Sequence, residues 1–313
     1  VRAVIRLAKQ QGAKVSVGDS PTNVTRLDEL WARTGFRVMC DEEQVPLLNF
    51  EKSGSVPFTA HGYSFTVAQP VADADVVINV PKIKTHVLTI LTAGVKNMYG
   101  VVPGFQKATL HKLCPTPQEF GKLLAALYSK ARPQLTIADG IVGMDGDGPS
   151  GGQPAPLGLL AASADSVALD TVLCRILGIN PGSVPYLKPL REHQLGETEL
   201  GRIDVVGARL EEVTPSSFRI PGTALGRLIP GWLVKSLGGL FWIRPVFTDA
   251  CISCGLCVKS CPMGALAIEP KMKPLLAPAK CIGCCCCHEV CPAKAIAMTQ
   301  SPVLNFIRKG RLP

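Results

Sequence analysis

Residues 251–262 read CISCGLCVKSCP, and residues 281–292 read CIGCCCCHEVCP. Both are full copies of one spacing, C-x2-C-x2-C-x3-C-P, which is that of iron–sulfur ligation. Thiolate is the soft ligand that such clusters require. Three cysteines three apart can wrap one cluster from a single loop. The fourth stands about one helical turn further on, points away, and serves the other cluster. That crossing assigns Cys251, Cys254, Cys257 and Cys291 to cluster one, and Cys281, Cys284, Cys287 and Cys261 to cluster two. Pro262 and Pro292 end the binding loops and remove an N–H next to the last ligand.

Zinc sites usually pair two C-x2-C arms across a longer spacer, and disulfide frameworks belong to small secreted chains. Neither pattern suits a fourfold spacing repeated in full within a 313-residue chain. The expected cofactors are therefore two 4Fe–4S clusters. Cys285 and Cys286 fill the variable positions of the second run, where the first has Gly255 and Leu256. They read as spectators, since the in-register spacing is already complete; the other reading lets the cluster slip register. Cys40, Cys114 and Cys174 read as small buried apolar residues.

Hydrophobic residues make up 47% of the chain, enough for a sizeable core. Aromatics are 5%, and the lysines and arginines are spread along the chain. Both facts argue against nucleic acid as a partner. The formal charge of +9 suits an acidic electron-transfer partner or an anionic cofactor. No secretory signal is visible, and oxygen-sensitive clusters favour a reducing, cytoplasmic setting. Val1 to Gln11 reads as the middle of an amphipathic helix, which suggests that a segment precedes it.

Strand and helix signals alternate over the first two hundred or so residues, which implies an α/β domain with a mostly parallel sheet, about 1–215. Strands are expected at Ala13–Val17, Val45–Phe50, Ser64–Val67, Gln134–Ala138, Leu157–Ala162 and Ile203–Val206. Asp75–Val80 is a continuous apolar run, as in buried parallel strands. Helices are expected over a stretch carrying Leu27, Leu30 and Trp31, with Asn23 or Thr25 as cap, and over Gln118–Ala131 and Ser166–Leu177. Gly143–Gly152 reads as a glycine-rich loop. An apolar connector, 216–247, is interrupted by charge and proline. Its longest uncharged run after Lys235 is eight residues, too short to span a bilayer, although a peripheral membrane contact stays open. A small α+β ferredoxin-like two-cluster domain at 248–300 and a basic tail at 301–313 follow.

A polar constellation begins at the end of the Asp75–Val80 run, on the sheet edge where ligands of α/β proteins bind. It comprises PKIKTH (81–86), TAGVKNMYG (92–100), Pro103-Gly104 and Lys107 to His111. Lys82, Lys84, Lys96, Lys107 and Lys112 can gather around an anion. His86 and His111 can transfer protons near neutral pH or ligate a metal. Lys84, His86, Lys96, Asn97 and His111 are the candidate catalytic residues. Lys82, Asp139 and Asp145 are candidate ligands for a further, unidentified cofactor. Turn formation explains Asp139, Asp145 and Asp147 almost as well.

Taken together, GDSP (18–21), PKIKTH, TAGVKNMYG, the Asp139-Gly140 pair before its GP…G loop, and SADSVALD (163–170) resemble the family called domain of unknown function 362. The resemblance covers about Val1 to Gly207. It implies an extended segment with a first strand ahead of Val1, and frequent fusion to a two-cluster ferredoxin module. The site is also remotely similar to that of the nickel-pincer lactate racemase family. A metal-ligand His stands there ten residues before a cofactor-tethering Lys, as His86 does before Lys96. The departure at Ala93-Gly94-Val95 implies shared ancestry of the site without its nickel cofactor.

The expected function is an iron–sulfur redox protein relaying low-potential electrons between the clusters and a substrate or cofactor at the Lys/His patch. The partner would be a redox protein or a small-molecule acceptor. The alternative is a non-enzymatic carrier or cluster-delivery factor docking on a redox protein.

Overall fold

A computed structural model describes residues 1–21, 27–104, 106–114, 116–149, 151–221 and 242–303. Helix α1 (Arg2–Gln10) buries Ile5 against Cys40 and Val45. Strand β1 (Val17–Asp19) is followed by α2 (Leu27–Arg33), α3 (Phe36–Glu42) and β2 (Leu47–Asn49), which pairs with β1 in parallel. The cap candidates Asn23 and Thr25 lie outside the described residues. Strands β3 (Ser55–Ala60) and β4 (Tyr63–Ala68) form a hairpin. Its turn, His61-Gly62, is left-handed at both residues (φ 47° and 82°), which matches the twist of the strands it joins. A short α4 (Gln69–Ala72) follows.

The main sheet comprises β5 (Ile78–Asn79), β6 (Lys82–His86), β7 (Ile90–Thr92), the 13-residue β8 (Leu135–Asp147), β9 (Gly151–Ala155) and β10 (Leu159–Ser163). β5 and β6 run parallel to β8, whereas β9 and β10 are antiparallel to β8 and β7 is antiparallel to β6. The sheet is thus partly parallel, not mostly so. The cause is connection length: β6–β7 and β8–β9 are joined by a few residues, and only antiparallel strands can be joined that way. The stretch expected as a glycine-rich loop is largely this β8–β9 hairpin, and KIKTH is a strand. Of the apolar run Asp75–Val80 only Ile78–Asn79 pairs, and Val76 is 60% exposed. Ile203–Val206 forms no strand, and Val206 is 95% exposed with no neighbouring strand to cover it.

Helix α5 (Gly94–Asn97) follows β7 and leads through a 3-10 turn to α6 (Gln106–Leu113). α7 (Pro117–Lys130) starts at a capping box, in which Thr116 and Glu119 satisfy each other's backbone N–H groups. α8 (Ser166–Ile176) is capped by Asp165, and α9 (Leu187–Glu192) packs on α7 and α8. Gly121 of α7 permits the α9 approach, because a Cβ there would stand 2.2 Å from the Pro185 carbonyl oxygen. The core joins Phe120, Leu123, Leu124, Leu127 and Tyr128 of α7 to Ile83, Ile90, Leu91, Leu169 and Leu173. Each fully buried aliphatic side chain contributes about 1.5–3 kcal/mol, so this cluster holds the helices on the sheet more than helix propensity does. A four-residue α10 (Leu210–Val213) packs on α8.

The C-terminal unit is α+β: β11 (Ile243–Phe247), α11 (Leu256–Lys259), β12 (Leu266–Ala267), β13 (Leu275–Leu276), α12 (Cys286–Glu289) and β14 (Ile296–Gln300). β11 pairs with β14 and β12 with β13, both antiparallel. The pairing of β11 brings Ile243–Phe247, inside the expected connector, into this unit. Residues 222–241 of the connector and 304–313 of the tail lie outside the described residues. The unit is duplicated in its backbone. Left-handed residues recur in pairs at Ser253 and Gly283, Gly255 and Cys285, Gly264 and Lys294. Its core is small: Cys257, Leu266, Cys287, Val290 and Ile296. Among the described residues no helix is long and apolar enough to cross a membrane.

Candidate functional site

The cysteine runs enclose two cavities. Cys251, Cys254 and Cys257 line one together with Cys291; Cys281, Cys284 and Cys287 line the other together with Cys261. Each helix start, after a left-handed residue, turns the third cysteine inward, and the helix then carries the fourth to the opposite cavity. The amides of Ala265 and Ala295 donate to Cys261 and Cys291 Sγ at 3.2 Å each. Among the described residues no three His, Cys, Asp or Glu side chains converge on a single-ion site. Four thiols around a cavity, with backbone N–H donors to sulfur, fit a polynuclear cluster better than one ion.

The second site is built on β6 and α5. Alternation along β6 turns Ile83 and Thr85 into the core and leaves Lys84 and His86 on the opposite face. His86 is itself buried, and its Nδ1 accepts the amides of Leu88 (3.0 Å) and Thr89 (3.3 Å). A ring nitrogen that accepts two N–H groups carries no proton, so the neutral imidazole holds its proton on Nε2. That Nε2 lies 3.0 Å from Glu289 Oε1 of α12, in the C-terminal unit. Burial pushes the His86 pKa down to about 4. Burial alone would raise the Glu289 carboxyl, but His86, Lys96 and His111 hold it well below its ordinary value. Near pH 7 the pair is therefore neutral imidazole facing carboxylate.

Lys96 projects from α5 over two aromatic faces, its Nζ 4.8 Å from the Tyr99 ring centre and 5.6 Å from that of Phe120. Burial lowers its pKa to about 8, with Lys84 adding to the effect. His111 of α6 stacks on Phe120 at 4.3 Å and meets Tyr99 edge-on at 5.8 Å. Burial pushes its pKa to about 4, and its buried Nδ1 has no hydrogen-bond partner. Lys84, His86, Lys96 and His111 thus gather in one largely buried cluster, within electrostatic reach of one another. Tyr99, Phe120 and Glu289 belong to it as well and were not foreseen. Tyr99 lay within the quoted TAGVKNMYG; Glu289 carried one signal, since its counterpart in the first cysteine run is Lys259.

A polar network underpins α5. Asp170 of α8 accepts the amides of Gly94 (2.6 Å) and Val95 (3.0 Å) and the Tyr186 hydroxyl (3.0 Å). Burial pushes its pKa up to about 7. Asn97, a candidate catalytic residue, donates its amide to Asn79 Oδ1 at 2.8 Å, and Asn79 donates to the Gly94 carbonyl at 2.8 Å. Its visible contacts support the turn. Lys107 is buried and donates to the Ser20 carbonyl and, at 2.9 Å, to Ser20 Oγ, tying α6 to GDSP. The three candidate cofactor ligands engage neighbours of their own. Lys82 pairs with Asp139 at 2.6 Å, and Asp145 takes a two-point contact from Arg219 at 2.6 and 3.0 Å. Lys112 is exposed.

The two units meet through α12. Cys286 and His288 are buried, and the His288 ring covers Gly151 of β9, where a Cβ would stand 2.9 Å from Cε1. Cys286 lies close enough to influence Lys96 and Tyr99. The helix that supplies Cys287 to its cavity therefore also carries Glu289 into the Lys/His cluster.

Residues 1–175 match a family described as Domain of unknown function (DUF362), and residues 250–298 match the 4Fe-4S dicluster domain. Over 189 residues the chain is 35% identical to the thylakoid-associated protein sll1697 of Synechocystis sp., an alignment covering 60% of this chain and 58% of that protein. The chain thus spans less than two thirds of that relative's length. No solved structure matches.

Proposed function

We propose, on the premise that this chain belongs to the DUF362 family and ends in a 4Fe–4S dicluster domain, that it is an iron–sulfur redox protein serving a substrate or cofactor bound at the Lys/His pocket. Cys251, Cys254, Cys257 and Cys291 would hold one 4Fe–4S cluster, and Cys281, Cys284, Cys287 and Cys261 the other. Bound clusters supply one-electron transfer at low potential. The observation that carries the reading is the Glu289–His86 contact at 3.0 Å, two residues beyond Cys287. It supports a cysteine-bearing helix communicating with a cluster of groups suited to charge and proton management.

Within that pocket each residue has a distinct task. Lys96 and Lys84 stabilise negative charge as it develops on a reduced ligand. His86, its Nδ1 taken by two backbone amides and its Nε2–H held by Glu289, positions that carboxylate to give or take a proton there. His111 offers an unengaged buried Nδ1 for the same work, and Tyr99 and Phe120 keep water from the Lys96 ammonium. Oxygen-sensitive clusters favour a reducing compartment, and we place the chain in the cytoplasm. The relative's name ties that protein to thylakoids, which is compatible with a peripheral membrane contact here.

The test is reduction of candidate acceptors by the reconstituted protein under anaerobic conditions. His86→Ala and Lys96→Ala should each lower turnover by about 10²-fold with both cluster spectra intact. Equal turnover in all three proteins would remove the pocket from the reaction. A second reading, a cluster-delivery factor, draws on Cys285, a surplus thiol that lines the cavity of the second cysteine set. Iron transfer to an apo-acceptor, lost in Cys285→Ser, would favour it.

A further inference from the structure

The two halves of the dicluster unit are duplicates in backbone but opposites in surroundings. In the second half, α12 is packed away: Cys285, Cys286 and His288 are buried, and Glu289 enters the Lys96–His86–His111 pocket. The corresponding positions of the first half are Gly255, Leu256, Val258 and Lys259, and Lys259 is exposed. Cys254, which lines the first cavity, is exposed, whereas its counterpart Cys284 is only partly so.

An apolar patch surrounds that open cavity. Ile252 is 65% exposed and Pro274 is its neighbour on the cavity wall. Ser253 Oγ donates to the Met272 carbonyl at 2.8 Å, which binds the turn carrying Met272 to the cysteine loop. Met272 and Leu275 are 59% and 67% exposed. Exposed large apolar side chains gathered round a cofactor cavity mark an interaction surface. The lysines next to it in sequence are exposed: Lys271 and Lys273 flank Met272, and Lys259 stands two residues beyond Cys257 of the cavity wall, against Glu269 and an Asp249 already engaged by Lys273.

We propose that this face, centred on Ile252, Met272 and Leu275 and edged by Lys259, docks an acidic one-electron carrier protein. The duplication indicates how. The second half binds its neighbour by inserting an acidic residue into a basic pocket, and the first half presents a lysine at the same helical position. The complementary surface is therefore an apolar patch with a carboxylate recess, facing Lys259. One electron passes per encounter, the carrier being oxidised as the dicluster unit is reduced, with no bond made or broken. The inference rests on the iron–sulfur reading above but not on the identity of any substrate at the Lys/His pocket.

The test uses the full chain with both clusters reconstituted and flavodoxin, an acidic carrier, as the probe. Calorimetry with oxidised flavodoxin gives Kd, and stopped-flow with reduced flavodoxin gives the rate of cluster reduction. Lys259→Glu and Met272→Asp should each weaken Kd and slow reduction by about tenfold, and the salt dependence of the rate should become shallower in Lys259→Glu. Lys122→Glu, an exposed charge reversal on α7, should change neither by more than about twofold. Dithionite, which needs no docking face, should reduce all four proteins alike. Wild-type behaviour in Lys259→Glu and Met272→Asp, or equal slowing in Lys122→Glu, would overturn the docking face and leave the iron–sulfur reading intact. Failure of dithionite to reduce the wild type would bring down both. A dimer that Met272→Asp dissolves would assign the face to a second copy of the chain and overturn the carrier.

Discussion

His111 shows how a single side chain can be poorly placed for stability and well placed for chemistry. Its ring is buried and stacked on Phe120, yet Nδ1 has no partner. His111→Phe should keep the stack, remove the orphaned nitrogen and stabilise the protein by about 1 kcal/mol, while lowering turnover. His86 and His111 also set a pH dependence. Both are held near pKa 4 by burial, against about 6.5 when unfolded. Between pH 6.5 and 4 the unfolded chain takes up these protons and the folded chain does not. Stability due to these two groups is thus fully present above pH 6.5 and falls as pH drops through that window. Urea titrations at pH 7 and 5.5 should show a shallower loss in His111→Phe than in wild type. Cys285 poses a different question. It sits at φ 64°, where its counterpart Gly255 sits at φ 71°. Left-handed backbone costs a side chain roughly 1 kcal/mol, so Cys285→Gly should raise the urea midpoint for cluster bleaching with no change in spectrum. A changed spectrum would mean that Cys285 is a ligand.

Among the elements, α5 depends on a partner far away in sequence. Its first two amides bind Asp170 of α8, and Gly94 has no room for a Cβ, which would stand 2.9 Å from Ser166 Cβ. Asp170→Asn turns an NH2 group towards at least one of the donors now satisfied and should cost about 2 kcal/mol, read as a lowered thermal midpoint. Because α5 carries Lys96, the same substitution should raise KM for the pocket's ligand more than it alters the cluster spectrum. Period-based reading located α1, α7 and α8 well, since each has an apolar stripe or a strong cap. It misread β6 and the β8–β9 hairpin. Lys82, Lys84 and His86 look like a polar loop when only their character is read, but they are one face of a strand whose other face is Ile83 and Thr85. The glycines at 143, 146, 148, 151 and 152 suggest a loop. Gly143, Gly148, Gly151 and Gly152 serve instead to admit close neighbours, as at Gly148, where a Cβ would stand 2.2 Å from the Thr85 carbonyl oxygen, and Gly146 takes a left-handed φ of 76°.

For the molecule as a whole, the docking of α12 is the decisive contact. Gly151→Val would push against His288, and Glu289→Ala would leave His86 Nε2 buried without its carboxylate at a cost of about 1–3 kcal/mol. Either change should increase hydrogen exchange at residues 84–99 while both cluster spectra persist. Iron removal should act differently. The dicluster unit has five core residues, two of them cysteines proposed as ligands, so chelation should unfold it outright. The larger α/β core, which contains no expected ligand, should keep its own unfolding transition, visible by circular dichroism.

The chain's chemistry was legible in the sequence wherever ligand spacing is local. Eight cysteines in two runs specify the cavities they line, including the exchange of the fourth cysteine, because a short loop and one helical turn leave little freedom. The Lys/His residues were legible as a group, since Lys84, His86 and Lys96 flank one strand–turn–helix. What they face was not. Glu289 and Phe120 reach the Lys/His cluster from separate elements, Asp170 supports α5 beneath it from a third, and only tertiary packing brings them there. The same packing buries one half of a duplicated unit and leaves the other open, a difference the two nearly equivalent cysteine runs cannot express.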